Sequence, residues 1–376
     1  LLSAALWTIA AGQSADVLAG GGIDSSFEAW NGSGFAGWSI SGGSLAVAGP
    51  APAVPPARRI ARARSAPMPH TLLLAEPRGF CAGVVRAIDV LDRVLDDEDS
   101  AVYAFHEIVH NRYVVERFEQ RGAIFVNSIS EIPEGSRVIF SAHGVSPAVV
   151  AEAERRKLRV VDATCPLVTK VHLETRKAAK DGYDILLVGH RGHDEIEGTA
   201  GEAPNRATVV ETPEEAATLD RRTRPIFVVT QTTLSVDDTA STIESIRESY
   251  PAAEVRNDIC YATTNRQAAV RELAERAGVV IVVGSSNSSN TVRLREVAAG
   301  MGTPAYRVDG VDEIDPVWYD GVDVVGLTAG ASVPDELLTP IIEDLRSRGV
   351  TTVEPVIVAE ETVIFQPPEE MDSPAG

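Results

Sequence analysis

Val160-Val161-Asp162-Ala163-Thr164-Cys165-Pro166, followed by Leu167-Val168-Thr169-Lys170-Val171-His172, decides how this chain reads. The β-branched run is a strand, and Thr164-Cys165-Pro166 turns it into a helix with proline at the first helical position, where a missing N–H costs nothing. The pattern recurs. Glu76-Pro77-Arg78-Gly79-Phe80-Cys81 enters one helix and Asn257-Asp258-Ile259-Cys260-Tyr261 enters another. These are the only three cysteines, 84 and 95 residues apart, each at the mouth of a helix.

From residue 68 onward, strands and helices alternate. Leu72-Leu73-Leu74 is a strand, and after Cys81 a helix carries Val84, Ile88, Leu91 and Leu95 on one face. The strand Ala101–Phe105 runs into Glu107-Ile108-Val109-His110-Asn111. A helix with Val114 and Phe118 stops at Gly122, the strand Ala123–Val126 follows, and Val138-Ile139-Phe140 ends in Ser141-Ala142-His143-Gly144. The order then repeats. After Cys165 come a helix, the strand Ile185–Val188, the loop containing His193 and Glu195, and the strand Ile226–Val229 ending in Thr230-Gln231-Thr232-Thr233. After Cys260 come a helix with Val270, Leu273 and Ala277, the strand Val279–Val283, the loop Gly284 to Asn290, and the strand Val324–Leu327 ending in Thr328-Ala329-Gly330-Ala331-Ser332. His110 lies 29 residues after its cysteine, and His193 and Ser288 each lie 28 after theirs. His143, Thr232 and Ser332 follow at 62, 67 and 72.

A period of about 90 residues built of β-α units predicts three similar α/β domains, 68–160, 161–256 and 257–366, each with a mostly parallel sheet. Sites in such sheets gather at the carboxyl ends of strands, where every polar motif above falls. One central site fed by three domains is the expectation.

Composition narrows the function. A net charge of −20 argues against a nucleic-acid binder, 5% aromatic residues give no stacking platform, and no apolar run is long enough for a membrane span. Three dispersed cysteines suit a reducing compartment, so a soluble cytoplasmic chain is expected. Residues 1–67 differ in texture, with ten of the 30 glycines in the first 50 positions and a Pro/Arg-rich run before Met68. A basic n-region is missing, so a poorly ordered leader is expected rather than a signal peptide. Residues 367–376 read as a tail.

Cys81, Cys165 and Cys260 at three helix N-termini are candidate metal ligands, because that position lowers a thiol pKa and favours thiolate. Three thiolates can hold zinc with an open position, or an iron–sulfur cluster with one iron not bound by protein. The spacing, without CxxC pairs, favours the cluster. His110, His143 and His193, with Ser288, Ser289, Asn290 and Ser332, form a donor-rich ring suited to a phosphate or diphosphate. His70, His106, His172 and His190 are read as ordinary structural residues. Glu195, in a Gly-bounded loop, is a candidate proton donor, with Thr232 and Thr233 positioned to relay or orient that proton.

Long motifs then occur in the order of a known family: Pro77-Arg78-Gly79-Phe80-Cys81-Ala82-Gly83-Val84, Val109-His110-Asn111, Ser141-Ala142-His143-Gly144, Asp162-Ala163-Thr164-Cys165-Pro166, Gly192-His193 through Thr199, Thr230-Gln231-Thr232-Thr233-Leu234, Asp258 through Arg266, Asn287-Ser288-Ser289-Asn290 and Thr328 through Ser332. Over about 68–366 the chain resembles the LytB/IspH family of 4-hydroxy-3-methylbut-2-enyl diphosphate reductases. The resemblance implies a trefoil-like α/β fold, pseudo-threefold, around one 4Fe–4S cluster per chain. Cys81, Cys165 and Cys260 would ligate three irons, and the fourth would meet the substrate hydroxyl. His110, His143, His193, Ser288, Ser289, Asn290 and Ser332 would hold the diphosphate, with Thr232 near the allylic end and Glu195 as proton donor. The implied electron donor is ferredoxin or flavodoxin, and the products are isopentenyl and dimethylallyl diphosphates. Two rivals keep the same residues: a zinc phosphohydrolase, and a non-catalytic diphosphate-binding module. The donors implied are commonly acidic, and no basic patch to receive one is legible in a chain of charge −20.

Overall fold

The computed structural model describes residues 69–97, 100–220 and 222–368. The leader expected over 1–67 lies outside the described residues, as does most of the tail. In chain order the elements are β1 (Thr71–Glu76), α1 (Ala82–Asp97), β2 (Val102–Phe105), α2 (Arg112–Gln120), β3 (Ala123–Val126), β4 (Arg137–Phe140), α3 (Pro147–Arg155) and β5 (Arg159–Asp162). Then come α4 (Pro166–Lys180), β6 (Asp184–Val188), α5 (Asp194–Gly201), β7 (Ala207–Val210), α6 (Pro213–Ala217), β8 (Ile226–Thr230), α7 (Val236–Ser249) and β9 (Glu254–Val255). The last are α8 (Tyr261–Arg276), β10 (Val279–Val283), α9 (Ser289–Gly300), β11 (Ala305–Val308), β12 (Val324–Ala329), α10 (Leu338–Arg348) and β13 (Thr352–Ile357). Among the described residues no helix is long and apolar enough to cross a membrane.

These strands form three sheets, ordered β3-β2-β4-β5, β7-β6-β8-β9 and β11-β10-β12-β1-β13. Every strand pairing among the described residues is parallel. The central runs Ile226–Thr230 and Val279–Val283 are buried throughout, as parallel strands covered on both faces must be. On α1, Val84, Ile88 and Leu91 pack into a core with Val102, Val114, Phe118 and Ile139. On α8, Val270 and Leu273 pack against Leu73, Val280 and Val282.

Sheet membership departs from the sequence repeats in one respect. The first strand, β1, does not join β2–β5; it pairs with β12 and β13 in the third sheet. There it takes beside β12 the place that β5 takes beside β4 and β9 beside β8. An apolar run specifies a buried strand but not its neighbours, so the sequence pattern could not assign Leu72-Leu73-Leu74 to a distant sheet. The consequence is threefold closure: the strand that launches each cysteine sits in a different sheet, and all three launch from carboxyl ends.

Candidate active site

Each cysteine is fixed by the same device. The Cys81 N–H donates to the Ala331 carbonyl (3.1 Å), that of Cys165 to Ala142 (3.0 Å) and that of Cys260 to Thr232 (3.1 Å). Those acceptors lie in the loops after β12, β4 and β8, so every thiol is tied beside one polar loop: the Ser332, His143 or Thr232 loop. Cys165 and Cys260 are the N-caps of α4 and α8, and the Cys81 carbonyl accepts from Val85 (2.9 Å) in the first turn of α1. A Cβ built on Gly83 would stand 2.6 Å from Cys165 Sγ and 3.9 Å from Cys81 Sγ, so these two sulfurs share the space that glycine leaves open. All three thiols line one cavity of about 90 Å³, several times what one water needs, together with His110, His143, His193, Glu195, Thr232, Ser288, Ser289, Asn290 and Ser332.

The thiol electrostatics differ from the sequence expectation. Burial pushes Cys165 up to about 12 and Cys260 up to about 11, and the neighbouring thiols add to both rises. Desolvation here outweighs the helix N-termini. Cys165 and Cys260, neither in a disulfide, become thiolates at neutral pH only alongside a strong cation, which is what a metal centre provides. The donor set and the Gly83 cradle fit a metal group held by Cys81, Cys165 and Cys260.

The histidines form one packed group. His110 and His143 stack with ring centroids 4.0 Å apart, and His193 stands edge-on to both at 5.2 and 5.7 Å. His193 is the N-cap of α5, and its Nδ1 accepts from the Glu195 N–H (3.2 Å). Nε2 is therefore the proton-bearing nitrogen of the neutral ring. His110 Nδ1 lies 3.1 Å from Glu107 Oε2, a carboxylate that also accepts from Asn287 Nδ2 (2.8 Å). Burial, then repulsion from the other rings, holds His143 well below its ordinary value and His193 at about 4. Both rings are neutral at neutral pH.

Across from them, Ser288 caps α9, accepting from Thr291 N–H (3.4 Å) and Thr291 Oγ1 (3.0 Å), which leaves its own hydroxyl proton to donate. Asn290 is 3% exposed, and neither its Nδ2 nor its Oδ1 has a hydrogen-bond partner. A buried amide left unpaired at a helix N-terminus marks a place for a polar ligand. Ser332 Oγ donates to the His110 carbonyl (2.9 Å). Ser289 Oγ donates to the Thr233 carbonyl (3.3 Å), joining the α9 loop to the Thr232 loop.

Glu195 is 1% exposed. Its Oε1 accepts from the Thr232 N–H (2.6 Å) and its Oε2 from the Thr232 hydroxyl (3.0 Å). Burial raises its carboxyl to about 7 against the pull of those two bonds. An acid poised near neutrality inside a donor-lined cavity can hand over a proton. Glu197, two residues on, is exposed and takes no part.

The structure also places Asp194 and His106, neither of them a sequence-predicted site residue, beside the three rings. His106 adopts φ +63° and places Nδ1 2.7 Å from Asp194 Oδ1, and this bond raises the imidazole pKa. The other Asp194 oxygen lies 3.9 Å from both His110 Nε2 and His143 Nδ1, so the pair sits directly behind the stacked rings. His110, His143 and Asp194 also offer donors within 4.8 Å of one another, close enough to hold a metal ion. Adjacency to His193 was the available signal for Asp194, and the four-residue step from His106 to His110 was the signal for His106. His172 is buried, with Nδ1 3.2 Å from Glu202 and Nε2 without a hydrogen-bond partner.

A model of the LytB protein family matches residues 72–346. The 4-hydroxy-3-methylbut-2-enyl diphosphate reductase of Mycolicibacterium vanbaalenii is 52% identical over 304 residues, covering 80% of this chain and 90% of the relative. That of Actinobacillus succinogenes is 50% identical over 306 residues, covering 80% and 98%. Among solved structures, the E-1-hydroxy-2-methyl-but-2-enyl-4-diphosphate reductase of Plasmodium falciparum superposes with a TM-score of 0.79 at 37% identity, over 81% of this chain and 97% of that one.

Proposed function

This chain belongs to the LytB protein family, and from that premise we propose that it reduces (E)-4-hydroxy-3-methylbut-2-enyl diphosphate to isopentenyl and dimethylallyl diphosphates, the last step of the methylerythritol phosphate route to isoprenoids. It is an oxidoreductase. The reaction removes the allylic hydroxyl as water, consuming two electrons and two protons.

The observation that carries the reading is one cavity lined at once by three thiols, a buried acid and a ring of anion-binding donors. Cys81, Cys165 and Cys260 would hold a 4Fe–4S cluster with one iron lacking a protein ligand, which when bound supplies electrons and a Lewis acid for the substrate hydroxyl. His110, His143, His193, Ser288, Ser289, Asn290 and Ser332 bind the diphosphate, and the depressed pKa values of His143 and His193 rise as negative charge enters. Thr232 stands at the allylic end and holds Glu195 through both carboxyl oxygens. Glu195, protonated near neutral pH, delivers the proton that turns the leaving hydroxyl into water. The apolar walls at Val84, Val109, Leu167 and Val168 keep bulk water from the allyl fragment.

Ferredoxin or flavodoxin serves as electron donor, and the unpaired thiols suit a reducing cytoplasm. The test is turnover of the hydroxylated diphosphate by anaerobically prepared protein with dithionite and methyl viologen. Formation of both isomeric products supports the reading. Hydrolysis of the diphosphate without reduction would replace it with a zinc phosphohydrolase.

A further inference from the structure

Electrons must reach the thiol-lined cavity from outside, in a protein whose net charge of −20 repels an acidic carrier. The strongest exception to that charge among the described helices is α4, which carries Lys170, Arg176, Lys177 and Lys180 against one acid, Glu174. Its N-cap is Cys165 itself. Positions 166, 170, 173, 177 and 180 fall on one face of a 3.6-residue helix, so Lys170, Leu173, Lys177 and Lys180 form a single stripe beginning beside the thiol. All four are exposed, Leu173 at 54%. Lys170 bonds Asp258 (2.9 Å) and lies near Glu174 (3.6 Å), whereas Lys177 and Lys180 form no ion pair among the described residues. At the start of the stripe lies an open groove lined by Arg86, Lys170 and Leu173, with the acids Asp162 and Glu174 also on its wall.

From this arrangement, and resting on the reductase reading above, we propose that the exposed face of α4 is where a small acidic one-electron-carrier protein docks. Two unpaired lysines, Lys177 and Lys180, beside a solvent-exposed leucine give the charged rim and apolar centre of a transient protein interface. Leu173 lies eight residues from Cys165, roughly 12 Å along the helix, so a carrier seated on the stripe is brought close to the thiol-lined cavity. Opposite charge on the carrier steers it to this face and away from the acidic remainder. Each reduced carrier gives up one electron. Two encounters, with two protons, convert the substrate C–OH to C–H and release water.

The test compares the anaerobically prepared holoenzyme with the double variant Lys177→Glu/Lys180→Glu, and with Lys177→Ala/Lys180→Ala, which leaves helix propensity intact. The affinity of an oxidised acidic two-iron ferredoxin is measured by calorimetry at low and high salt, and turnover is measured with reduced ferredoxin and with dithionite and methyl viologen. The charge reversal should weaken ferredoxin binding at least roughly tenfold, with the alanine pair in between and the difference vanishing at high salt. Ferredoxin-driven kcat/KM should fall by the same factor while dithionite-driven turnover holds. Unchanged ferredoxin affinity in both variants overturns the proposal, as does tighter binding of a DNA oligonucleotide than of ferredoxin to the wild type. Absence of dithionite-driven turnover in the wild type would instead overturn the reductase reading, and the binding measurement would still decide the role of α4.

Discussion

Thr232 holds Glu195 by both carboxyl oxygens, with its backbone N–H at 2.6 Å and its hydroxyl at 3.0 Å, while its carbonyl accepts from the Cys260 N–H. One residue thus fixes the acid and ties it to a thiol-bearing helix. Glu195→Gln keeps the shape and removes the proton. Reduction should fall by roughly 100-fold or more with diphosphate affinity unchanged. Equal turnover would remove Glu195 from the chemistry. Thr232→Val keeps the backbone bond and loses the hydroxyl bond that pulls the Glu195 pKa down; the pKa therefore rises, and the alkaline limb of the rate profile should move to higher pH.

Glu195 also makes stability depend on pH. Its folded pKa of about 7 lies above the unfolded carboxyl value, so the folded state binds the extra proton. The associated stability is fully present below about pH 4.5 and is lost as pH rises through about 7. The shift corresponds to about 3 kcal/mol for this buried group. Glu195→Gln should therefore gain on the wild type in denaturant unfolding of the metal-free protein as pH rises from 5 to 8. A pH-independent difference would contradict the burial argument.

Binding of inorganic diphosphate should take up protons. His143 and His193 are neutral in the free cavity because burial and mutual repulsion depress both, and an anion against the rings reverses the balance. Calorimetry at pH 7 in buffers of different ionisation enthalpy should report net uptake, with affinity falling as pH rises towards 8. Zero uptake would mean that the rings bind as neutral donors only.

How much of this was legible in the chain is seen best in particular residues. The strands at Ala123–Val126 and Val279–Val283 match β3 and β10, because β-branched runs bounded by polar loops admit one reading. All twelve residues singled out by repeat position line the cavity, since a repeated βα unit places its polar loops at equivalent strand ends. The destination of β1 was not legible, because nothing local to Leu72-Leu73-Leu74 distinguishes a partner in one sheet from a partner in another. Nor was the thiol pKa direction, which depends on desolvation by groups far along the chain. The basic stripe on α4 was invisible in a net charge of −20 and appears only once helix phase is known.

Asn290 separates binding from folding. Its buried amide has no partner, so Asn290→Ala should leave the melting temperature equal or higher while weakening diphosphate affinity about tenfold. A large loss of stability would show that the amide is paired within the fold.

Gly83→Ala should act on the metal centre rather than on the helix. In an ordinary helix the change stabilises by up to about 1 kcal/mol, but here the added Cβ would stand 2.6 Å from Cys165 Sγ. Iron content after anaerobic reconstitution should drop sharply with the helical signal intact. Full iron loading would mean that Cys165 has room to move aside.

The most direct measurement is the iron and acid-labile sulfide bound per chain, in anaerobically reconstituted wild type and in Cys81→Ser, Cys165→Ser and Cys260→Ser separately. Three thiols launched from three sheets onto one centre predict about four irons and four sulfides in the wild type, and a comparable loss from each variant. A colourless wild type containing zinc and no iron, or one serine variant that keeps its full complement, would contradict it.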